Sequence, residues 1–205
     1  MAFLNESEKE QLRMAIRTAE ARTRGEIVTV ITRTSGDYYY YPTLWAALIA
    51  IVSPTLLLAL PIGFGALGIV EMQLVVFGVL ALLLRWTPIK MRIVPQAVRR
   101  LHASRRAREQ FHAQNLHRTR DQSGILLFVS VAEHYVEIIA DAGIHTRVPD
   151  GTWDQLVQQF TARVKAGQIS EGFIEAVNTL GGHLQTHFPA EAGNPNELPD
   201  HLIEL

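Results

Sequence analysis

Between Pro42 and Leu84 the chain runs for 43 residues with a single charged side chain, Glu71. A stretch this long and this apolar cannot be one core helix of a 205-residue chain. As helix it would extend roughly 64 Å, and the hydrocarbon core of a bilayer is about 30 Å thick. One crossing is too short for it, and two fit with a tight turn. The spacing predicts a first span from Thr43 to about Ile62 and a second from Ile69 to about Trp86. Between them lies Gly63-Phe64-Gly65-Ala66-Leu67-Gly68, whose glycines break the helical period. Pro54 and Pro61 fall in or at the end of the first span, where a membrane helix tolerates them better than a soluble one. Glu71 sits near the start of the second, within reach of headgroups. A buried hairpin in a soluble core would need a polar face, and this stretch has none.

The flanks predict the orientation. Arg22, Arg24 and Arg33 lie upstream, and Arg85, Lys90, Arg92, Arg99 and Arg100 lie downstream, whereas the turn carries no Lys or Arg. The positive-inside rule then puts both termini and the soluble part in the cytoplasm, with two spans in the cell (inner) membrane. Tyr38, Tyr39, Tyr40, Tyr41, Trp45 and Trp86 form an aromatic belt at that interface. Glu6, Glu8 and Glu10 do not fit the basic, apolar, small-residue pattern of a signal peptide. The formal charge of −1 implies no global pull toward nucleic acid, and the absence of cysteine excludes disulfides and thiolate metal sites.

The remainder suffices for one compact domain with its own core. Its first part is expected over residues 1–37, the hairpin over 38–88, the second part over 89–188, and a loop-like tail with three prolines over 189–205. Asn5 with Glu8 makes a capping box, so a helix starts there, buries Leu12, Ala15, Ile16 and Ala19, and ends near Arg24 with Gly25 as its C-cap. Glu26 to Thr32 reads as a buried strand. Pro95 opens a basic helix to about Leu116 with a thin apolar stripe of Ala103, Ala107 and Phe111. Ile125 to Val131 is a second buried strand, Ala132-Glu133-His134 a turn, and Tyr135 to Ala140 a third strand running back. Trp153, Leu156, Val157, Phe160 and Val164 mark an amphipathic helix that Gly167 ends. Ser170 caps a last helix presenting Phe173, Val177, Leu180 and Leu184.

The fold class is α/β: a sandwich of helices about a small mixed central sheet, interrupted by a two-helix transmembrane hairpin. The two apolar strands are most simply parallel neighbours, joined by a right-handed crossover through the basic helix. They share a sheet only if both lie on one side of the membrane, so the number of spans between them is even.

Several segments carry a family resemblance. They are Ala19-Glu20-Ala21-Arg22-Thr23-Arg24-Gly25-Glu26-Ile27-Val28, Ser123-Gly124-Ile125-Leu126-Leu127-Phe128-Val129-Ser130, and Val136-Glu137-Ile138-Ile139-Ala140-Asp141-Ala142-Gly143-Ile144. Trp153, Gly167 and Ile174 to Leu180 continue the match. In order and spacing these resemble the TPM domain family, named for a thylakoid lumen protein, a photosystem II repair protein and a nematode receptor modulator. His187-Phe188-Pro189 and Asn196-Glu197-Leu198-Pro199-Asp200 are similar to a bacterial membrane-protein branch of it. The resemblance implies an α/β sandwich with a mixed sheet. It further implies either a phosphatase with acidic metal-binding residues or an assembly or repair factor. Where many members have a Gly-aromatic-Gly turn, this chain reads Ala142-Gly143-Ile144.

The proposed strand directions bring the start of the first strand, the start of the second and the end of the third to one sheet edge. Those places carry Glu26, Asp121 and Asp141, three carboxylates that suit Mg²⁺ or Ca²⁺. A metal there can polarise a phosphoryl oxygen or activate water. Glu20, Thr23 and Thr119 are further candidates at that edge. The competing reading makes each acid a solvated loop residue or a helix-dipole partner.

Other patterns carry less. The letters GxGxxG from Gly63 to Gly68 follow no strand, so no nucleotide cofactor is expected. His183 and His187 have zinc-like spacing without an adjacent Glu. Arg99, Arg100, Arg105, Arg106 and Arg108 lack interleaved aromatics for base stacking, so anionic lipid headgroups are their expected partners rather than nucleic acid. The expected function is a membrane-anchored interaction or assembly module, its protein partner unidentified. The alternatives are a metal-dependent phosphatase-like hydrolase and a transporter or channel component, the last disfavoured by spans with no polar pathway beyond Glu71.

Overall fold

The computed structural model describes residues 3–58, 65–149, 151–191 and 197–205. They form two compact units: one made of the residues up to Ser35 together with those from His102 onward, the other of Gly36–Leu101.

In the first unit, α1 (Glu6–Glu20) starts at the expected capping box. Asn5 Oδ1 accepts from the Glu8 N–H at 2.9 Å, and Glu8 Oε2 accepts from the Asn5 N–H at 2.7 Å. The helix buries Leu12, Ile16 and Ala19. It stops at Glu20, earlier than expected, with Ala21 as its C-cap. Gly25 is therefore not a C-cap. It faces the end of the Leu184 side chain, which a Cβ there would meet at 2.7 Å and push aside.

The sheet has the order β3-β2-β1-β4. β1 (Glu26–Thr32) and β2 (Gly124–Ser130) are parallel, in register from Glu26 opposite Gly124 to Thr32 opposite Ser130, and every residue of both is buried. β3 (Tyr135–Ala140) runs antiparallel to β2. β4 (Ile203–Glu204) lies parallel to β1 at Val30 and Ile31. The segment expected as a loop thus ends in a strand.

Side-chain alternation gives the sheet two apolar faces. Ile27, Ile31, Ile125, Leu127 and Val129 pack with α1, α7 (Thr152–Lys165) and α8 (Ile169–His187). Phe160 of α7 and Phe173 of α8 meet edge to face there, with ring centroids 5.0 Å apart. Val28, Val30, Leu126 and Phe128 pack on the opposite face with Ala107 and Phe111 of α5 (Gln96–Ala113), and with Leu116 of a 3-10 turn at Leu116–Arg118. That turn ends the basic helix sooner than its sequence suggests. Likewise, α8 begins before Ser170, with Gln168 in the capping position.

A polar network closes the end of the sheet where β1 leaves and β2 turns into β3. Glu133, 7 % exposed, accepts from Thr34 Oγ1 at 3.0 Å, the Ser35 N–H at 2.9 Å and Ser130 Oγ at 2.5 Å.

The second unit contains α2 (Tyr40–Leu58), α3 (Ala66–Leu83) and α4 (Thr87–Ile93). α3 begins at Ala66, so Gly68 lies inside a helix rather than in a turn. Ile62, Gly63 and Phe64 of the expected span end and turn lie outside the described residues. Among the described residues one helix, Ala66–Leu83, is long and apolar enough to cross a membrane, and none of its residues is buried. In α2, Ala46 and Ala50 are buried, and no side chain from Tyr40 to Leu58 carries a formal charge. Tyr38 is buried, whereas Tyr39, Tyr40, Trp45 and Trp86 are exposed. The Tyr39 ring receives the Arg85 guanidinium at 5.2 Å and the Lys90 ammonium at 5.8 Å, and Lys90 Nζ also donates to the Asp37 carbonyl at 3.2 Å.

Candidate functional site

The register places the start of β1, the start of β2 and the end of β3 on one edge, as their directions suggest. The Glu26 N–H donates to the Ser123 carbonyl at 3.2 Å and the Asp141 N–H to the Gly124 carbonyl at 2.9 Å, so the ladder reaches both acids. The loop before β2 is tied to the turn after β3. An added Cβ on Gly143 would collide with the Asp121 carbonyl oxygen and lie 2.7 Å from that of Gln122, so only glycine permits this approach.

The three acids share the edge but have separate surroundings. Glu26 is 3 % exposed. Its Oε1 accepts from the Glu197 N–H at 3.1 Å, and its Oε2 is buried with no hydrogen-bond partner. Burial pushes its carboxyl above the ordinary range, against backbone donors at Glu197 and Leu198. Asp121 Oδ2 pairs with Arg24 Nη1 at 3.1 Å, and the same nitrogen lies 3.1 Å from Glu191 Oε1. Asp141 caps the short helix α6 (Ala142–His145) through Oδ1, which accepts from the Ala142 N–H at 2.8 Å. Its Oδ2 is buried without a partner. Among the described residues no three His, Asp or Glu side chains form a group that could hold a metal ion.

Glu20 stands beside this edge. Its Oε1 accepts from the Ile27 N–H at 2.9 Å, its Oε2 is buried, and Asp200 lies in side-chain hydrogen-bond contact with the carboxyl. Burial pushes its carboxyl up to about 9, with the charges of Glu26 and Asp200 acting in the same direction and the Ile27 N–H opposing. Thr23 and Thr119 are spent on structure. Thr23 Oγ1 donates to the Phe188 carbonyl at 2.6 Å and accepts from the Gly25 N–H at 3.0 Å. Thr119 Oγ1 donates to the Leu116 carbonyl at 3.2 Å and accepts from the Ser123 N–H at 3.1 Å.

Arg24, as the partner of Asp121, is the edge residue that sequence reasoning missed. Its position two residues before Glu26 offered the only hint. On α5, Arg105 and Arg106 both reach Glu109, at 3.1 and 3.4 Å, while Arg100 and Arg108 are exposed and Arg99 is half-buried.

The helix order, the parallel β1–β2 pair and the antiparallel β3 coincide with a family match. Residues 83–183 match the TPM domain model. The chain carries a TPM domain. The matched stretch of the TPM domain begins after most of the apolar insertion, yet its sheet is completed by β1 from before it. The NMR structure of the BA42 protein from the psychrophilic bacterium Bizionia argentinensis is similar in fold, with a TM-score of 0.62 and 20 % identity over 100 % of this chain and 97 % of that one. No curated protein matches the chain in sequence.

Proposed function

We propose that this TPM-domain protein is held in a cell membrane by a two-helix hairpin, α2 and α3, and serves on the cytoplasmic side as an interaction or assembly module. The observation that carries this is the parallel pairing of β1 with β2 across the apolar insertion. Two strands of one sheet lie on one side of a membrane, so the chain between them crosses an even number of times. α3 exposes Leu67, Leu74 and Leu82 to 80 %, 66 % and 73 % and buries nothing, which supports lipid rather than water around it. An even count then requires a second crossing, and the uncharged α2 supplies it. The cations flanking the pair favour the cytoplasmic side for the domain. The exposed α5 arginines add attraction to anionic headgroups. Alkaline extraction of membranes from expressing cells tests the anchor: the full chain stays in the pellet, and recovery in the supernatant contradicts it. For the assembly role, in-cell crosslinking followed by purification yields a discrete partner, whereas recovery of the bare chain opposes it.

A metal-dependent hydrolase is the second reading, favoured by the buried, unpartnered oxygens of Glu26 and Asp141 at one sheet edge. Those two acids, with Asp121 once freed from Arg24, would hold Ca²⁺ or Mg²⁺. Bound there, such an ion supplies Lewis-acid polarisation of a phosphoryl oxygen. Calorimetric titration with Ca²⁺, Mg²⁺ and Mn²⁺ tests it: saturable heat in the wild type that Asp141→Ala abolishes supports it, and heat in neither removes it.

A further inference from the structure

Residues 197–205 lie along the outer edge of β1, bending at Leu198 and His201 before the short strand Ile203–Glu204, and several separate contacts hold them. The Glu197 N–H donates to Glu26 at 3.1 Å. Asp200, 8 % exposed, receives Arg17 Nε of α1 at 2.8 Å. Leu202 is buried. Ile203 and Glu204 pair with Val30 and Ile31, a ladder prolonged by the Leu205 N–H on the Ile31 carbonyl at 2.9 Å and the Arg33 N–H on the Leu205 carbonyl at 3.4 Å. Glu204 Oε1 lies 3.4 Å from Lys9 Nζ of α1.

This is how a sheet edge reads an extended peptide: main-chain bonds supply attachment and alternate side chains supply selectivity. The acceptor consists of a strand edge, an apolar slot, the cations Lys9 and Arg17 of α1, and the carboxyls of Glu20 and Glu26 beside Asp200, of which Glu20, its carboxyl pushed up by burial, hydrogen-bonds Asp200. The segment matches it with acids at 200 and 204 and an apolar residue between. Yet the ladder engages only two of the seven residues of β1, a short pairing for the last strand of a sheet. We propose that the β1 edge, with Lys9 and Arg17, is a peptide-acceptor groove that its own residues 197–205 occupy in the single chain and that the same segment of a second copy occupies in an assembled pair.

Charge complementarity names the occupant. Lys9 and Arg17 face Asp200 and Glu204, and a second copy carries that segment in full. In the single chain the resident segment has the advantage of being covalently attached to the chain that carries the groove. Confinement in a membrane narrows that advantage. The inference deepens the assembly reading and rests on it for its use in the cell, while membrane extraction tests that reading separately.

A charge-swap experiment on the full, detergent-solubilised chain decides it. Arg17→Asp opposes the groove to its own segment, and Asp200→Arg opposes the segment to its own groove. Mixed under separate tags, the two variants match in both directions: the groove of the first takes the segment of the second, and the groove of the second keeps Arg17 for the Asp200 of the first. They should co-purify about tenfold more than either variant with itself, and the double variant R17D/D200R should behave as the wild type does. Equal recovery in all mixtures overturns the second-copy occupant. A labelled synthetic peptide of the sequence 197–205 provides the second measurement. It should bind the Asp200→Arg chain at least about tenfold more tightly than the wild type, whose groove is filled. A folded Asp200→Arg chain that does not bind the peptide overturns the groove itself.

Discussion

The Arg24 guanidinium reaches the Asp121 carboxylate at 3.1 Å and holds Glu191 at the same distance from the same nitrogen. The acid that begins the approach to β2 is thus already neutralised by a cation from the approach to β1. Any divalent ion using Asp121 must displace that guanidinium. On the metal reading, Arg24→Gln raises Ca²⁺ affinity about tenfold, by removing a competing charge of like sign. Calorimetry on both chains checks it, and unchanged affinity means Asp121 is not a ligand.

Glu20 predicts a pH dependence. Its folded-state value near 9 stands above the ordinary 4.5, so between those values the folded chain binds a proton that the unfolded chain has lost. Stability therefore falls as pH rises through that window and levels off above it. Glu20→Gln keeps an oxygen for the Ile27 N–H and removes the charge. The variant should melt higher than the wild type at about pH 8, by roughly 1–3 kcal/mol, and nearly together with it at about pH 5. Thermal melts across that range measure the difference.

Glu133 gathers Thr34, Ser35 and Ser130 where the chain leaves β1 and turns from β2 into β3. Glu133→Ala removes one acceptor and strands several buried donors. It should cost roughly 3 kcal/mol in chemical denaturation. Glu133→Gln should cost less, since the amide oxygen keeps part of the set.

Gly143→Ala tests the packing of the acidic edge. Its Cβ would meet backbone carbonyls rather than a flexible side chain, so the turn after β3 and the loop before β2 must separate. The expected loss is about 1–3 kcal/mol. Amide exchange should rise at Gln122 and Ile144 while the middle of β2 stays protected.

Much of this fold could be read locally. Asn5 and Glu8 announced α1 because a capping box is a contact between residues three apart. β1 and β2 were legible because strands buried on two faces are continuous apolar runs, and the half-buried β3 because it follows β2 through a short turn. What escaped notice depends on distant partners. β4 is two residues long and follows a proline-rich stretch, and its mate, β1, lies more than 170 residues earlier, so nothing local marks it. The convergence of Glu26, Asp121 and Asp141 on one edge followed from strand directions. The Arg24 pairing and the Glu197 N–H on Glu26 did not, because both are set by loops whose course no periodicity records. Gly25 looked like a helix end, and what it faces is Leu184 on a helix near the other end of the chain.

The even number of crossings between β1 and β2 is the claim on which the functional reading turns. Because the chain has no native cysteine, single cysteines report sidedness cleanly. Gly65→Cys, before α3, and His134→Cys, in the β2–β3 turn, would be treated in intact cells with a membrane-impermeant maleimide. Labelling at 65 alone, with 134 reacting only after the membrane is opened, is the predicted result. Labelling of both positions from the same side would contradict the hairpin.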